Sequence, residues 1–428
     1  MSAARGVYGG LLTLLQPAYR ARLWWRARAE AGYGEAVGER FGHYETSCAV
    51  PGALWIHAVS LGETRAAKAL IDALRARRPG LRLLLTHGTA TGRAAGRELL
   101  HPGDRQCWLP LDTPLAVARF YAHQRPALGV LMETELWPNL VAGAVSAGVP
   151  IVQANARLSA RSLARGRRFE SLLRPAMESL SLVLAQTEAD AARLREAGAR
   201  EVRVMGNLKF DLNPDPALLE RGRAWRTAST ERPLVLGAST REGEEMPLLA
   251  AWARRRVADG GARLLLVPRH PQRFDEVAQW VVAAGLSLSR RSTWEAGGPD
   301  AKALGADVWL GDSLGEMHAY YAAARVALLG GSFEPLGGQN LIEAAACGCP
   351  LLMGPSTFNF AEAAELSLAA GASERVDGLE AAVERALALI DAPRVLDDRG
   401  ERALCFAAAH RGAAARMANA ILAGLPTT

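Results

Sequence analysis

Several short turns in this chain hold residue types that can do chemistry, and each follows a short apolar run. One reads Val59-Ser60-Leu61-Gly62-Glu63-Thr64. Gly62 allows a tight turn and Glu63 falls where a helix begins. A carboxylate there serves either as general base for a hydroxyl nucleophile or as the acid that a helix N-terminus favours. Another turn reads Met132-Glu133-Thr134-Glu135-Leu136-Trp137-Pro138. Its two acids suit a metal pair or an acidic helix start, and no His or Asp joins them locally.

The other turns lie in the second half of the chain. Gly237-Ala238-Ser239-Thr240-Arg241-Glu242-Gly243-Glu244-Glu245 leads from a strand through small residues into a helix, where backbone N–H groups can bind phosphate. Val267-Pro268-Arg269-His270-Pro271 presents Arg269 and His270 between two prolines. Arginine suits bidentate contact with phosphate or carboxylate, while the histidine is equally a packed loop residue. The stretch from Gly330 to Glu343 sets a glycine pair at Gly330-Gly331 and another at Gly337-Gly338, with Gln339 and Asn340 at the expected start of a helix. That start can receive an anion, and Glu343, one turn along, can accept hydrogen bonds from a ribose diol.

The elements that must position these turns follow a clear alternation. Residues 53–59, 81–86, 127–132, 150–153 and 182–186 read as strands, with helices over 63–74, 114–121, 136–147 and 187–197. The series demands a parallel sheet covered on both faces. It breaks between Asn207 and Arg232, which contains Asn213-Pro214-Asp215-Pro216, and resumes with strands at 233–236, 262–267, 308–310, 326–329 and 350–353. The expected architecture is α/β, with two Rossmann-like doubly wound domains facing a cleft. The expected segments are 1–48 at the N-terminus, a domain over 49–206, a linker over 207–232 and a domain over 233–428. In open α/β sheets the ligand lies outside the carboxyl ends of the strands, where these turns fall.

Composition narrows the setting. Half of the 428 residues are hydrophobic and 22% are charged, so packed cores are feasible. The net charge of +6 favours an anionic partner without choosing among nucleic acid, acidic lipid and phosphorylated substrate. The five cysteines, Cys48, Cys107, Cys347, Cys349 and Cys405, match no zinc spacing and read as free thiols in the cytosol. Near the N-terminus, Val7, Tyr8, Leu11, Leu12, Leu14 and Leu15 are followed by Arg20, Arg22, Trp24, Trp25, Arg26 and Arg28. A spanning helix needs about 20 apolar residues, more than this run supplies, and Pro17 weakens a straight helix. Leucines, an aromatic pair and clustered arginines suit a helix lying among lipid headgroups. A core helix and a signal peptide are the alternatives.

At this point the chain resembles the Kdo (3-deoxy-D-manno-octulosonic acid) transferases. The matching strings are Ser60–Glu63, Leu109–Asp112, Met132–Leu140, Asn155–Ser162, Gly206–Asp211, Val267–His270, Gly330–Glu343 and Gly354–Phe360. They run in the family's order along nearly the whole chain. The resemblance implies the GT-B fold, CMP-Kdo as donor, and a lipid A precursor (lipid IVA) as acceptor in lipopolysaccharide core biosynthesis. It implies Glu63 as catalytic base, Glu133 as a second functional acid, and Arg269, Asn340 and Glu343 as nucleotide contacts. His270, Ser239, Gly331, Gly338 and Gln339 complete the expected donor site. Gln339 and Ser356 stand where many members carry His. No acceptor-binding residue is assigned. The implied mechanism is an inverting, metal-independent displacement without a cofactor. The implied partners are the two substrates and an anionic membrane surface, not nucleic acid. The implied location is the cytoplasmic face of the bacterial inner membrane, peripheral or monotopic. A GT-B enzyme using a UDP-sugar and a non-catalytic lipid-surface protein are the rival readings.

Overall fold

The computed structural model describes residues 3–45, 49–211, 213–255, 261–295 and 298–425. Cys48 lies outside them, and the other four cysteines are free thiols. The chain divides into two compact units, Met1–Asp211 with Arg411–Thr428, and Leu212–His410.

In the first unit β1 (Leu54–His57), β2 (Leu83–His87), β3 (Arg105–Trp108), β4 (Leu128–Met132), β5 (Ile151–Ala156), β6 (Leu182–Ala185) and β7 (Val202–Val204) form one sheet. Its order is β3-β2-β1-β4-β5-β6-β7, and every described pairing is parallel. Parallel neighbours need a crossover, which helices supply. The helix Leu61–Arg77 follows β1 and buries Ala66, Ala67, Leu70, Ile71 and Leu74, spaced to form one face. They join Leu54, Ile56, Leu83 and Val130 of the sheet. Each buried aliphatic side chain of this kind contributes about 1.5–3 kcal/mol of burial.

The second unit repeats the plan with β8 (Leu234–Thr240), β9 (Arg263–Pro268), β10 (Leu288–Arg290), β11 (Val308–Leu310), β12 (Val326–Leu329), β13 (Leu351–Met353) and β14 (Ser373–Arg375). Its order is β10-β11-β9-β8-β12-β13-β14, again parallel.

All ten strands expected from sequence are present. The four that the sequence reading did not find, β3, β7, β10 and β14, are the four sheet edges. An edge strand is only partly covered, so it needs no continuous apolar run. Ser373-Glu374-Arg375 of β14 and Val202-Arg203-Val204 of β7 carry charges that an interior parallel strand would not hold.

The expected domain limits need three corrections. The stretch 207–232 is mostly not a linker. Its helix Pro216–Ala228 packs on the helix Met317–Ala323, close enough that a Cβ at Gly222 would lie 2.2 Å from the Ala319 carbonyl. The last helix, Ala413–Ala423, belongs to the first unit rather than to the second. Ala414, Met417, Ala418 and Ile421 bury in the core shared with the helix Leu61–Arg77. The Asp211 carboxylate accepts the backbone N–H groups of Gly412 and Ala414 at its start, where the helix dipole favours an anion.

The N-terminal stretch is likewise part of the first unit. Leu23, Tyr33 and Phe41 bury against Ala90 and Trp108, and the Glu39 carboxylate accepts from the Trp108 backbone N–H at 2.9 Å. The apolar run forms two helices, Ala3–Leu14 and Gln16–Ala29, with Pro17 in the first turn of the latter. Gly9 sits close against Pro114, while Val7, Leu11, Leu14, Leu15, Trp24 and Trp25 stay exposed. Among the described residues no helix is long and apolar enough to cross a membrane.

Candidate active site

In the first sheet the strand order reverses between β1 and β4, and an acid stands in the turn beyond each strand, Glu63 after β1 and Glu133 directly after β4. Local capping chemistry places Glu63. Ser60 is the N-cap of the helix Leu61–Arg77, and its Oγ accepts from the Glu63 backbone N–H at 3.4 Å. The Glu63 carboxylate turns back, accepting from Val59 N–H at 2.7 Å and Ser60 O–H at 3.3 Å. This is the reciprocal pattern of a capping box, displaced by one residue. Burial pushes the Glu63 carboxyl up to about 7, opposed by the Val59 hydrogen bond and reinforced by the charges of Glu133 and Glu135. Capping positions this carboxylate and its surroundings raise its proton affinity toward neutrality, which is what a group that takes a proton needs.

Glu133 directly follows β4. It is 6% exposed and holds a positive φ of 54°, sterically costly for a residue with a Cβ. Its backbone is tied on both sides, with N–H donating to Ala154 O at 2.9 Å and carbonyl accepting from Gln153 Nε2 at 3.1 Å. Arg157 Nε donates to its carboxylate at 3.0 Å. Asn155, at the end of adjacent β5, shares the conformation with φ 53°. Its Nδ2 is buried without a hydrogen bond among the described residues.

Two neighbours of this cluster, His57 and Lys209, were not singled out from sequence, and a third, Glu135, entered only as the second acid of its turn. Glu135 is raised by burial, against a Trp137 hydrogen bond and with help from Glu133. Its Oε2 lies 4.0 Å from His57 Nε2. The distance suits an ion pair, but burial drives His57 down to about 3, so the imidazole is neutral at ordinary pH. Lys209 is lowered by burial, with Glu133 and Arg157 as its charged neighbours. The signal for Lys209 and Arg157 was present in the strings Gly206–Asp211 and Asn155–Ser162. Nothing in the sequence placed His57, a strand residue, beside Glu135.

In the second sheet the reversal falls between β8 and β12. The chain turns at Ser239, whose φ of 55° is also positive. A Cβ on Gly330 would lie 2.3 Å from the Ser239 carbonyl, so only glycine lets the two strand ends meet. Gly331 and Gly338 have φ of 71° and 74°, and the Gly338 N–H donates to Gly331 O at 2.7 Å. Gln339 Nε2 lies 3.2 Å from where a Cβ of Gly331 would be, and Arg241 Cγ lies 3.6 Å from it. Ser239, Arg241, Gly331, Gly338 and Gln339 are thus gathered at one place.

Glu244, fully buried, was not expected and builds this loop. Its carboxylate accepts from the backbone N–H groups of Arg241 at 2.8 Å, Gly331 at 2.8 Å and Phe333 at 3.1 Å. Ser356 has a role of the same kind, its Oγ accepting from Gly337 N–H at 3.0 Å.

Arg269 and His270 follow β9, the neighbour of β8, and the Arg269 N–H donates to Thr240 O at 2.9 Å. The Arg269 side chain is exposed. Burial lowers His270, and the cationic charges of Arg241, Arg269 and Arg273 lower it further against Glu242. Three arginines around one imidazole, opposed by Glu242, give this corner a cationic character suited to an anion.

The helix expected near Gln339 starts at Leu341 and has six residues. Asn340 is its N-cap, with Oδ1 accepting from Ile342 N–H at 3.1 Å and Nδ2 donating to Glu343 Oε1 at 3.2 Å. Asn340 and Glu343 are brought together, but the Asn340 carbonyl oxygen is already committed to the helix.

Comparison with known proteins agrees with this picture. Residues 35–212 match the family model described as 3-deoxy-D-manno-octulosonic-acid transferase (kdotransferase). A 3-deoxy-D-manno-octulosonic acid transferase of Bordetella pertussis is 46% identical, over 97% of this chain and 98% of that protein. The Haemophilus influenzae protein of the same name is 33% identical, over 95% of this chain and 92% of its own. Anabaena HepE, solved in complex with UDP, superposes with a TM-score of 0.58 at 16% identity, covering 87% of this chain and 100% of that one. That likeness concerns the fold alone and agrees with two Rossmann-like sheets of GT-B type. Similarity along almost the entire length of the bacterial relatives places this chain in the 3-deoxy-D-manno-octulosonic acid transferase family of glycosyltransferases.

Proposed function

We propose that the protein transfers Kdo from CMP-Kdo to a lipid A precursor, lipid IVA, by an inverting displacement that needs no metal. Glu63 removes the proton of an acceptor hydroxyl. The hydroxyl oxygen bonds to the anomeric carbon as the bond from that carbon to the phosphate oxygen breaks, and CMP leaves with the electron pair. Arg269 and Arg241, with the backbone N–H groups around Gly331 and Gly338, receive the phosphate charge. Gln339 and Glu343 contact the nucleotide, and Glu133 holds Arg157 beside the base. The observation that carries the reading is Glu63, raised to about 7 beside two further carboxylates at the strand-order reversal. A base poised near neutrality is what removal of a hydroxyl proton requires.

The test is to incubate purified protein with CMP-Kdo and lipid IVA, weigh the lipid, and determine the anomeric configuration of the product by NMR. A mass gain of one Kdo unit with inverted configuration, undiminished by a chelator, supports the reading. Retained configuration, or loss of transfer on chelation, overturns the corresponding part of it.

The exposed side chains Val7, Leu11, Leu14, Leu15, Trp24 and Trp25 support attachment to the cytoplasmic face of the inner membrane without crossing it. Arg20, Arg22, Arg26 and Arg28 lie beside them on the surface and would each add about 1 kcal/mol on anionic lipid. Replacing the four arginines by Gln should weaken sedimentation with anionic vesicles at low salt. Replacing the four leucine and valine residues by Ser should weaken what survives high salt. If neither set changes sedimentation, this segment is not the membrane contact.

A further inference from the structure

The first unit holds a cavity of about 480 Å³ that none of the roles above uses. It opens beside Arg157, the partner of Glu133, and runs among the helices Ala160–Gly166, Glu170–Glu178 and Glu188–Glu196. Its apolar wall is aliphatic, formed by Leu136, Leu158, Leu163, Leu173, Met177 and Leu194. Among the described residues no aromatic side chain lines it, so those walls offer no stacking platform for a base. The volume falls within the roughly 300–1,000 Å³ of small-ligand sites.

The mouth is charged: Arg157, Arg167 and Arg174 line it together with Glu170 and Glu196, and the surrounding segment is rich in arginine. From Arg157 to Arg174 the chain carries Arg157, Arg161, Arg165, Arg167, Arg168 and Arg174 against a single acid, Glu170. Arg157 pairs with Glu133, Arg167 with Glu196, and Arg174 with Glu170 and Glu178, so the three lining arginines are partly neutralised. Arg161, Arg165 and Arg168 are exposed, as is Phe169. An aliphatic slot with guanidinium groups at its mouth fits an anionic amphiphile, with the chain inside and the phosphate outside.

We propose that this cavity receives an acyl chain of the lipid acceptor, so that the acceptor's sugar head lies next to the Glu63–Glu133 cluster. The proposal rests on the lipid-acceptor reading above and supplies the acceptor contact that reading lacks. It also gives Arg157 two duties, holding Glu133 and facing the headgroup.

Two kinds of experiment test it on the full-length protein. In the first, wild type, Leu163→Trp and Leu173→Trp are assayed with CMP-Kdo and two acceptors, tetraacylated lipid IVA and its fully deacylated bisphosphorylated sugar. Filling the slot should raise KM for the acylated acceptor by on the order of tenfold or more, leaving KM for the deacylated sugar and for CMP-Kdo unchanged. Equal effects on both acceptors, or no effect on either, overturn the proposal. With wild type alone, KM should fall as the acceptor's acyl chains lengthen and then level off once the slot is full. Chain-length independence also overturns the proposal.

The second experiment needs no catalysis. A polyene fatty acid that fluoresces out of water should bind wild type and be excluded by both variants. Equal binding by all three removes the slot as the chain site. Exclusion by the variants, with no Kdo transfer by wild type to either acceptor, keeps the slot as a chain site and overturns the enzymatic reading instead.

Discussion

The two units share one architecture and carry opposite electrostatics at equivalent places. Each has seven parallel strands, and in each the order reverses beside the first strand, at β1/β4 and at β8/β12. Beyond β1 and β4 stand Glu63, Glu133 and Glu135, two of them raised by burial and mutual repulsion. Beyond β8, β9 and β12 stand Arg241, Arg269 and glycines with bare backbone, and burial, with the arginine charges added, lowers His270. One reversal gathers carboxylates, and the other gathers cationic side chains and bare backbone N–H groups. The sheet sets where a ligand can lie, and the side chains of the following turns decide what it is.

Both units also use a residue with positive φ at the reversal, Glu133 in one and Ser239 in the other. The supports differ. Glu133 is held by side chains from β5 and the turn after it, whereas the Ser239 turn is held by contact with Gly330. Buried acids play unlike roles as well. Glu244 spends its carboxylate on three backbone N–H groups. Glu63 has fewer hydrogen bonds, is only partly buried, and retains a proton affinity near neutrality.

The contrast is broken most directly at Glu63. Glu63→Gln keeps the shape and the capping carbonyl but removes the base, so kcat should fall by roughly 10²–10⁴ with the fold retained. Circular dichroism and steady-state transfer rates check both halves, and near-wild-type turnover would remove the base assignment.

Changes in the second unit should act on binding instead. Arg269→Ala should weaken CMP affinity by about 10–100-fold, the range of one lost charge-assisted hydrogen bond. Glu343→Ala should weaken it less, because that carboxylate also holds Asn340. Calorimetry with CMP reads both, and unchanged affinity in the pair would show that these turns are not the donor site.

The smallest effect sharpens the comparison through pH. Glu63 must be deprotonated to act, so kcat should rise with pH through about 7. The Glu135 charge helps to raise Glu63. Glu135→Gln therefore lowers the Glu63 pKa and moves the acid limb of the profile to lower pH. A limb that stays in place would show that the carboxylates are not coupled. The same raised pKa costs the folded state stability as pH rises from 4.5 toward 7, because the native carboxyl binds its proton more tightly than the unfolded one.

Much of this was legible in the chain. Interior strands of a parallel sheet are buried on both faces, so β1, β2, β4, β5 and β6 announce themselves as apolar runs. The placement of Glu63, Arg269 and Gly331 in turns after such strands, and of Ser239 at the end of one, was legible because each follows an apolar run. Edge strands such as β10 and β14 were not, since half-covered backbone places no such demand on side chains. The reading also put Ala413–Ala423 in the wrong unit. Its alanines, Met417 and Ile421 mark an apolar helix face, and any complementary sheet in the chain would satisfy that pattern equally.

By itself the sequence determined the local elements, the capping that places Glu63, and the turns with chemistry in them, because these depend on neighbours within a few residues. The tertiary structure alone decided which of those groups share an environment. Glu63 owes part of its raised pKa to Glu133 and Glu135, some seventy residues away in the chain. His57 is neutral because β2 and the turn after β4 bury it. The aliphatic slot exists because helices spread over 160–196 leave space beside Arg157. Coulomb fields, desolvation and cavities all depend on distance in space, and distance in space is what folding creates.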